Sequence, residues 1–183
     1  MKRILFLLLV LTAPALAAER AGVKVPDNLT AGDKTLVLNG LGVRAATVFN
    51  VKVYVGELYV EQRSTSADAL INSAQVKQLD LVFVRDVDRS DIVDAWTKGF
   101  KNNGADMAKL GPRINQLNAW MPELKKKDTL SFLYVPDVGV TVFVKGQSKG
   151  IIPGADFSRA LFAIWLGREP ADDDLKKGLL GGK

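Results

Sequence analysis

Leu38-Asn39-Gly40-Leu41-Gly42-Val43-Arg44 and, five residues on, Phe49-Asn50-Val51-Lys52-Val53-Tyr54-Val55-Gly56-Glu57-Leu58-Tyr59-Val60 decide how this sequence is read. The segment from Thr35 to Val60 is rich in Val, Leu, Phe and Tyr, with Gly at 40, 42 and 56. It reads as long, bent strands, because β-branched and aromatic side chains suit a pleated, half-buried surface. Alternation is clear from Thr47 on. Phe49, Val51, Val53 and Val55 share one face; Val48, Asn50, Lys52 and Tyr54 share the other. That second face is amphipathic, not simply wet.

Working outward, Ser66 to Ala74 reads as a short helix, with Ser66 as N-cap and Asp68 in the first turn. Val76 to Val87 returns to strand, Leu79, Leu81 and Phe83 alternating with Asp80, Val82 and Val84. Ser90 reads as a second N-cap. Ile92, Val93, Trp96 and Phe100 then follow at helical spacing, and Gly104 stops the helix. Pro112 suits the first turn of a third helix that carries Ile114, Leu117 and Trp120 and ends near Pro122. Two strands, Thr129 to Val135 and Val140 to Val144, flank the hairpin signal Pro136-Asp137-Val138-Gly139. Gly146 to Gly150 gives another turn, and Ile151-Ile152 a short extended piece. Ala155 to Leu166 is an apolar helix closed by Gly167, and a last short helix begins at Asp172, acids first and bases last. This order predicts an α+β fold: a large antiparallel sheet with a layer of helices packed on one face, not alternating βαβ units.

The beginning of the chain reads differently. Met1-Lys2-Arg3 precedes an apolar run from Ile4 to Leu11 and a small-residue exit in which Ala15-Leu16-Ala17 fits a cleavage pattern. Residues 1–17 are therefore expected to be a secretory signal peptide, and residues 18–183 the folded domain. The run is too short to span a bilayer, so no integral membrane segment is expected after cleavage. An Ala-rich exit and a cysteine-free chain suit a bacterial periplasm. The net charge of +5 falls to +3 without Lys2 and Arg3, and Lys125-Lys126-Lys127 is the one basic run, so nucleic-acid binding has little support.

Two absences narrow the chemistry. The chain has no Cys and no His. That removes disulfides, Cys nucleophiles, Ser-His-Asp triads and the usual zinc sites. No metal or cofactor is expected, and any proton transfer would use Asp, Glu, Lys, Tyr or water. Asp86-x-Asp88-x-x-Asp91 lacks the spacing and glycine of a calcium loop and reads as helix capping.

Arg44 is the strongest candidate site residue. It stands between Gly42-Val43 and Ala45-Ala46 in a mostly apolar strand. A guanidinium sheltered there needs an anion, either a carboxylate of the chain or a ligand. Arg89, among Asp86, Asp88 and Asp91, either neutralises its loop or supplies a second cation facing Arg44. Tyr54 shares a face with Asn50 by parity, and with Arg44 only if no bulge intervenes. Trp96 and Phe100 are core or ligand wall.

The two opening stretches resemble the chalcone isomerase-like family, above all its exported bacterial members. The strand before Asp86-Val87-Asp88-Arg89-Ser90, the helix after it, and Gly150-Ile151-Ile152-Pro153-Gly154 ahead of the apolar helix follow in matching order. The resemblance implies a ligand cleft between sheet and helices. It places Arg44 at the family's Gly-Val-Arg position, facing that cleft. In plant chalcone isomerases such an Arg stabilises the substrate oxyanion during flavanone ring closure; other members bind fatty acids. The family's active-site Thr falls on Phe49 or Asn50, its Tyr on Arg89, its Lys on Ile92 and its Asn on Trp96. Those replacements make the cleft more apolar. The expected function is therefore a non-catalytic periplasmic binder of a small apolar carboxylate such as a fatty acid. Its head group would meet Arg44, helped by Asn50, Tyr54 or Arg89, and its tail would lie along Trp96, Phe100 and the 155–166 helix. The alternative is an isomerase (intramolecular lyase) acting on a chalcone-like enone, with Arg44 as oxyanion stabiliser. The sequence sets no oligomeric state.

Overall fold

A computed structural model describes residues 18–46 and 51–182. The expected leader, residues 47–50 (Asn50 among them) and Lys183 lie outside the described residues. Strands β1 (Ala18–Arg20) and β2 (Val23–Val25) form a small separate hairpin. Seven further strands make one antiparallel sheet in sequence order: β3 (Asn28–Ala31), β4 (Lys34–Ala46), β5 (Val51–Val60), β6 (Lys77–Phe83), β7 (Thr129–Val135), β8 (Gly139–Val144) and β9 (Gln147–Ile152). Among the described residues five helices accompany it: α1 (Ala67–Asn72), α2 (Arg89–Asn102), α3 (Met107–Ala119), α4 (Ala155–Leu166) and α5 (Asp173–Leu179). Among the described residues no helix is long and apolar enough to cross a membrane.

Strand alternation builds the main core. In β6 the buried residues are Lys77, Leu79, Leu81 and Phe83, every second position. They continue across β7 as Leu130, Phe132 and Tyr134, in register with Val144, Val142 and Val140 of β8. Against this face lies α4, whose Phe157, Leu161, Phe162, Ile164 and Trp165 are all buried. Each large apolar side chain so buried contributes about 1.5–3 kcal/mol before the entropic cost of ordering it.

Glycine at 40 and 42 has a packing reason. A Cβ at Gly40 would collide with the backbone of Gly178 and Leu179, and one at Gly42 would stand 2.8 Å from the Leu175 carbonyl oxygen. Bare backbone lets α5 lie directly on β4, with Leu175 and Leu179 in the core. The opposite face of the sheet is partly roofed by the β1–β2 hairpin, over a smaller cluster of Val25, Leu36, Leu38, Tyr59 and Val76. Beneath that roof Glu57 is buried, opposite Asp80 in register. Its carboxyl meets the Tyr59 hydroxyl at 3.1 Å. Burial pushes Glu57 up to about 7, and the neighbouring Asp80 adds to the rise.

Three local expectations are corrected. α2 begins at Arg89 with Asp88 as N-cap, not at Ser90. Val87 pairs with Leu124 (N–H···O 2.8 and 3.0 Å), which keeps the chain extended up to that point. α3 begins at Met107, because Asp106 accepts from the Ala108 and Lys109 amides. Pro112 thus falls inside the helix, not in its first turn. Residues 147–152 form a full edge strand, because Lys145 and Gly146 take positive φ (54° and 76°) and close a two-residue hairpin turn.

Candidate ligand-binding cleft

β4 and β5 set the site. Arg44 stands directly opposite Tyr54. The register shift falls between Arg44 and Ala45, just beyond this pair, so the two side chains share the helix-covered face. The Arg44 guanidinium carbon lies 5.7 Å from the centre of the Tyr54 ring. Both residues line a cleft of about 680 Å³ between the sheet and α2, a size usual for small-molecule sites.

Arg44 is half-buried. Among the described residues no carboxylate oxygen lies within 4.0 Å of it, and its buried Nε has no hydrogen-bond partner. Such an orphaned donor costs about 1–3 kcal/mol while it stays unpaired. Tyr54, 5% exposed, accepts a 2.9 Å bond from Trp165 Nε1. Burial pushes its hydroxyl up to about 12, only partly offset by Arg44. It therefore keeps its proton at neutral pH and remains a donor.

The remaining wall is mixed: Asp86, Asp88, Asp91 and Glu169 line it, and so does an apolar patch. Ile92 and Trp96 from α2 and Ile164 from α4 belong to that patch. Trp96 is fixed edge-on against Phe132 (centroids 5.4 Å) and Trp165 (6.3 Å), so the aromatic wall is rigid. Phe100 is fully buried and stands outside the lining, and α4 contributes Ile164 alone to it. The expected tail path along Phe100 and the length of α4 is thus shortened to Ile92, Trp96 and Ile164.

Arg89 does not face Arg44. Its Nε donates to the Met121 carbonyl (2.8 Å) and Nη2 to that of Asn118 (3.0 Å), tying the start of α2 to the end of α3. Unsatisfied carbonyls at a helix C-terminus are natural partners for a cation, and they take this one. The cations that border the cleft besides Arg44 are Arg85 and Lys98, neither singled out from the sequence. A signal was available for Lys98. Asp91, Ala95, Lys98 and Asn102 recur every three or four residues on α2, and all line the cleft. Among the described residues no group of three or more Asp or Glu is placed to hold a metal.

Residues 17–181 match the chalcone isomerase-like family model, and the chain belongs to that family. No curated protein matches the sequence. Among solved structures, the chain is similar to an Arabidopsis thaliana fatty-acid binding protein, with a TM-score of 0.70 and 17% identity over 90% of this chain and 95% of that one. At that identity the likeness establishes the shared fold.

Proposed function

We propose that this protein is a non-catalytic binder of a small apolar carboxylate, such as a fatty acid. One observation carries the reading: the Arg44 guanidinium, with a buried and unsatisfied Nε, borders a cleft whose wall includes the apolar side chains of Ile92, Trp96 and Ile164. A carboxylate supplies the missing acceptor through a charge-assisted bond. The Tyr54 hydroxyl offers it a second donor, and an alkyl chain covers the apolar patch. The structural neighbour is itself named a fatty-acid binding protein, which supports the assignment. Purification from the native host followed by lipid mass spectrometry tests it. Co-purified fatty acid, lost in Arg44→Ala, is expected; an empty cleft, or retention undiminished in that variant, sinks the reading.

Arg44 beside a protonated Tyr54 is also a donor pair suited to an enolate or phenolate oxygen. On that second reading the protein is an isomerase acting on a chalcone-like enone. Arg44-dependent, stereoselective ring closure of added chalcones would decide in its favour. For location, we propose export to a bacterial periplasm after removal of residues 1–17. Mass analysis of the protein from the periplasmic fraction should find Ala18 as its first residue.

A further inference from the structure

A second concavity lies at the same end of the sheet, where the β1–β2 turn meets the loop before β7. It measures about 380 Å³, and Val23, Val82 and Val84 give it an apolar floor. Lys52, Lys126 and Lys127 rim it, all exposed, and among the described residues no acidic one lines it. The nearby acids are engaged elsewhere. Asp86 and Glu123 pair with Lys125, and Asp128 pairs with Lys145 at 2.8 Å. Among the described residues, none of the three rim lysines has a carboxylate within 4.0 Å.

We propose that this lysine-rimmed groove is a docking site for the surface of an anionic phospholipid bilayer. Charge complementarity selects the partner: three unpaired cations around apolar side chains match phosphate head groups above acyl chains. The groove also adjoins the cleft. Phe83 lines both, and the Asp86 carboxylate at the cleft accepts from the Lys126 backbone N–H at 2.8 Å. A bilayer bound at the groove therefore lies beside the cleft, where a lipid-derived acid would enter. That last consequence rests on the carboxylate-binding reading; the docking itself does not.

Co-sedimentation of the full protein with phosphatidylcholine vesicles, with and without phosphatidylglycerol, tests the site. Binding should require phosphatidylglycerol and weaken as salt rises. Lys52→Gln/Lys126→Gln/Lys127→Gln should bind about a hundredfold more weakly, at roughly fivefold per lysine. Arg63→Gln/Lys101→Gln/Lys149→Gln removes the same charge from other exposed positions and should stay within about threefold of wild type. Arg44→Met should keep vesicle binding whether or not it loses fatty acid, which separates the two ideas. Three results would overturn the proposal: no preference for phosphatidylglycerol, equal losses in both triple variants, or lysine-dependent binding of free inorganic phosphate without vesicle binding.

Discussion

Two cations project from the same sheet face into the protein, and their surroundings differ completely. Lys77, on β6, is 1% exposed. Its ammonium donates to the carbonyls of Leu70 (2.5 Å), Ile71 (3.1 Å) and Ser73 (3.3 Å), the end of α1. It also lies 5.1 Å from the ring centres of both Tyr134 and Phe162. Arg44, on β4, lies over the Tyr54 ring beside an open cleft and, among the described residues, has no acceptor for its Nε. Lys77 completes a helix terminus and its donors are spent. Arg44 holds its donors in reserve. Burial of a charge marks a functional site only when the fold leaves that charge unsatisfied.

Substitution of each cation should separate the two roles. Lys77→Met strips the α1 carbonyls of their donor inside the core, and urea unfolding should show a loss of about 2–3 kcal/mol. Its fatty-acid affinity, measured at a temperature where it stays folded, should match wild type. Arg44→Met should do the reverse. Displacement of a fluorescent fatty acid should weaken ten- to hundredfold, about 1.5–3 kcal/mol, while unfolding changes by less than about 0.5 kcal/mol. If Arg44→Met destabilises as much as Lys77→Met, the contrast between them fails.

Titration sharpens the comparison and extends it to the opposite face. Burial pushes Lys77 down to about 8 from 10.5, with Arg159 adding to the fall. Between those values the unfolded chain holds a proton that the folded one has shed. The Lys77 contribution to stability therefore rises with pH across that window. Glu57 behaves oppositely. Raised from 4.5 to about 7, it keeps its proton in the folded state while the unfolded chain has lost it. Its contribution is complete below about pH 4.5 and is lost as pH rises through 7. Asp80, also raised by burial, faces it from β6, and Tyr59 bonds it from β5. Unfolding free energies at pH 5 and pH 8 should differ by about 1–2 kcal/mol in the acid-favouring direction, and Glu57→Gln should flatten that difference. The smallest effect belongs to Tyr54→Phe. Loss of one neutral hydroxyl should weaken fatty-acid binding about threefold, or about 0.5–1 kcal/mol.

Strand alternation, helix caps and the apolar helix ahead of Gly167 are local features, so the sequence by itself determined the α+β order, the antiparallel sheet and the family. The same residues marked Arg44, Tyr54 and Trp96, because a lone cation or a run of aromatics in apolar sequence is visible without coordinates. What Arg89 touches was not visible. Its partners are carbonyls 29 and 32 residues away, and backbone acceptors carry no residue identity. The register shift next to Arg44, the acceptor-free Nε and the groove beneath Lys52 and Lys126 were likewise decided only by tertiary structure. Spacing along a chain fixes which face a side chain takes. What that side chain meets there depends on segments brought close by the packing of the whole domain.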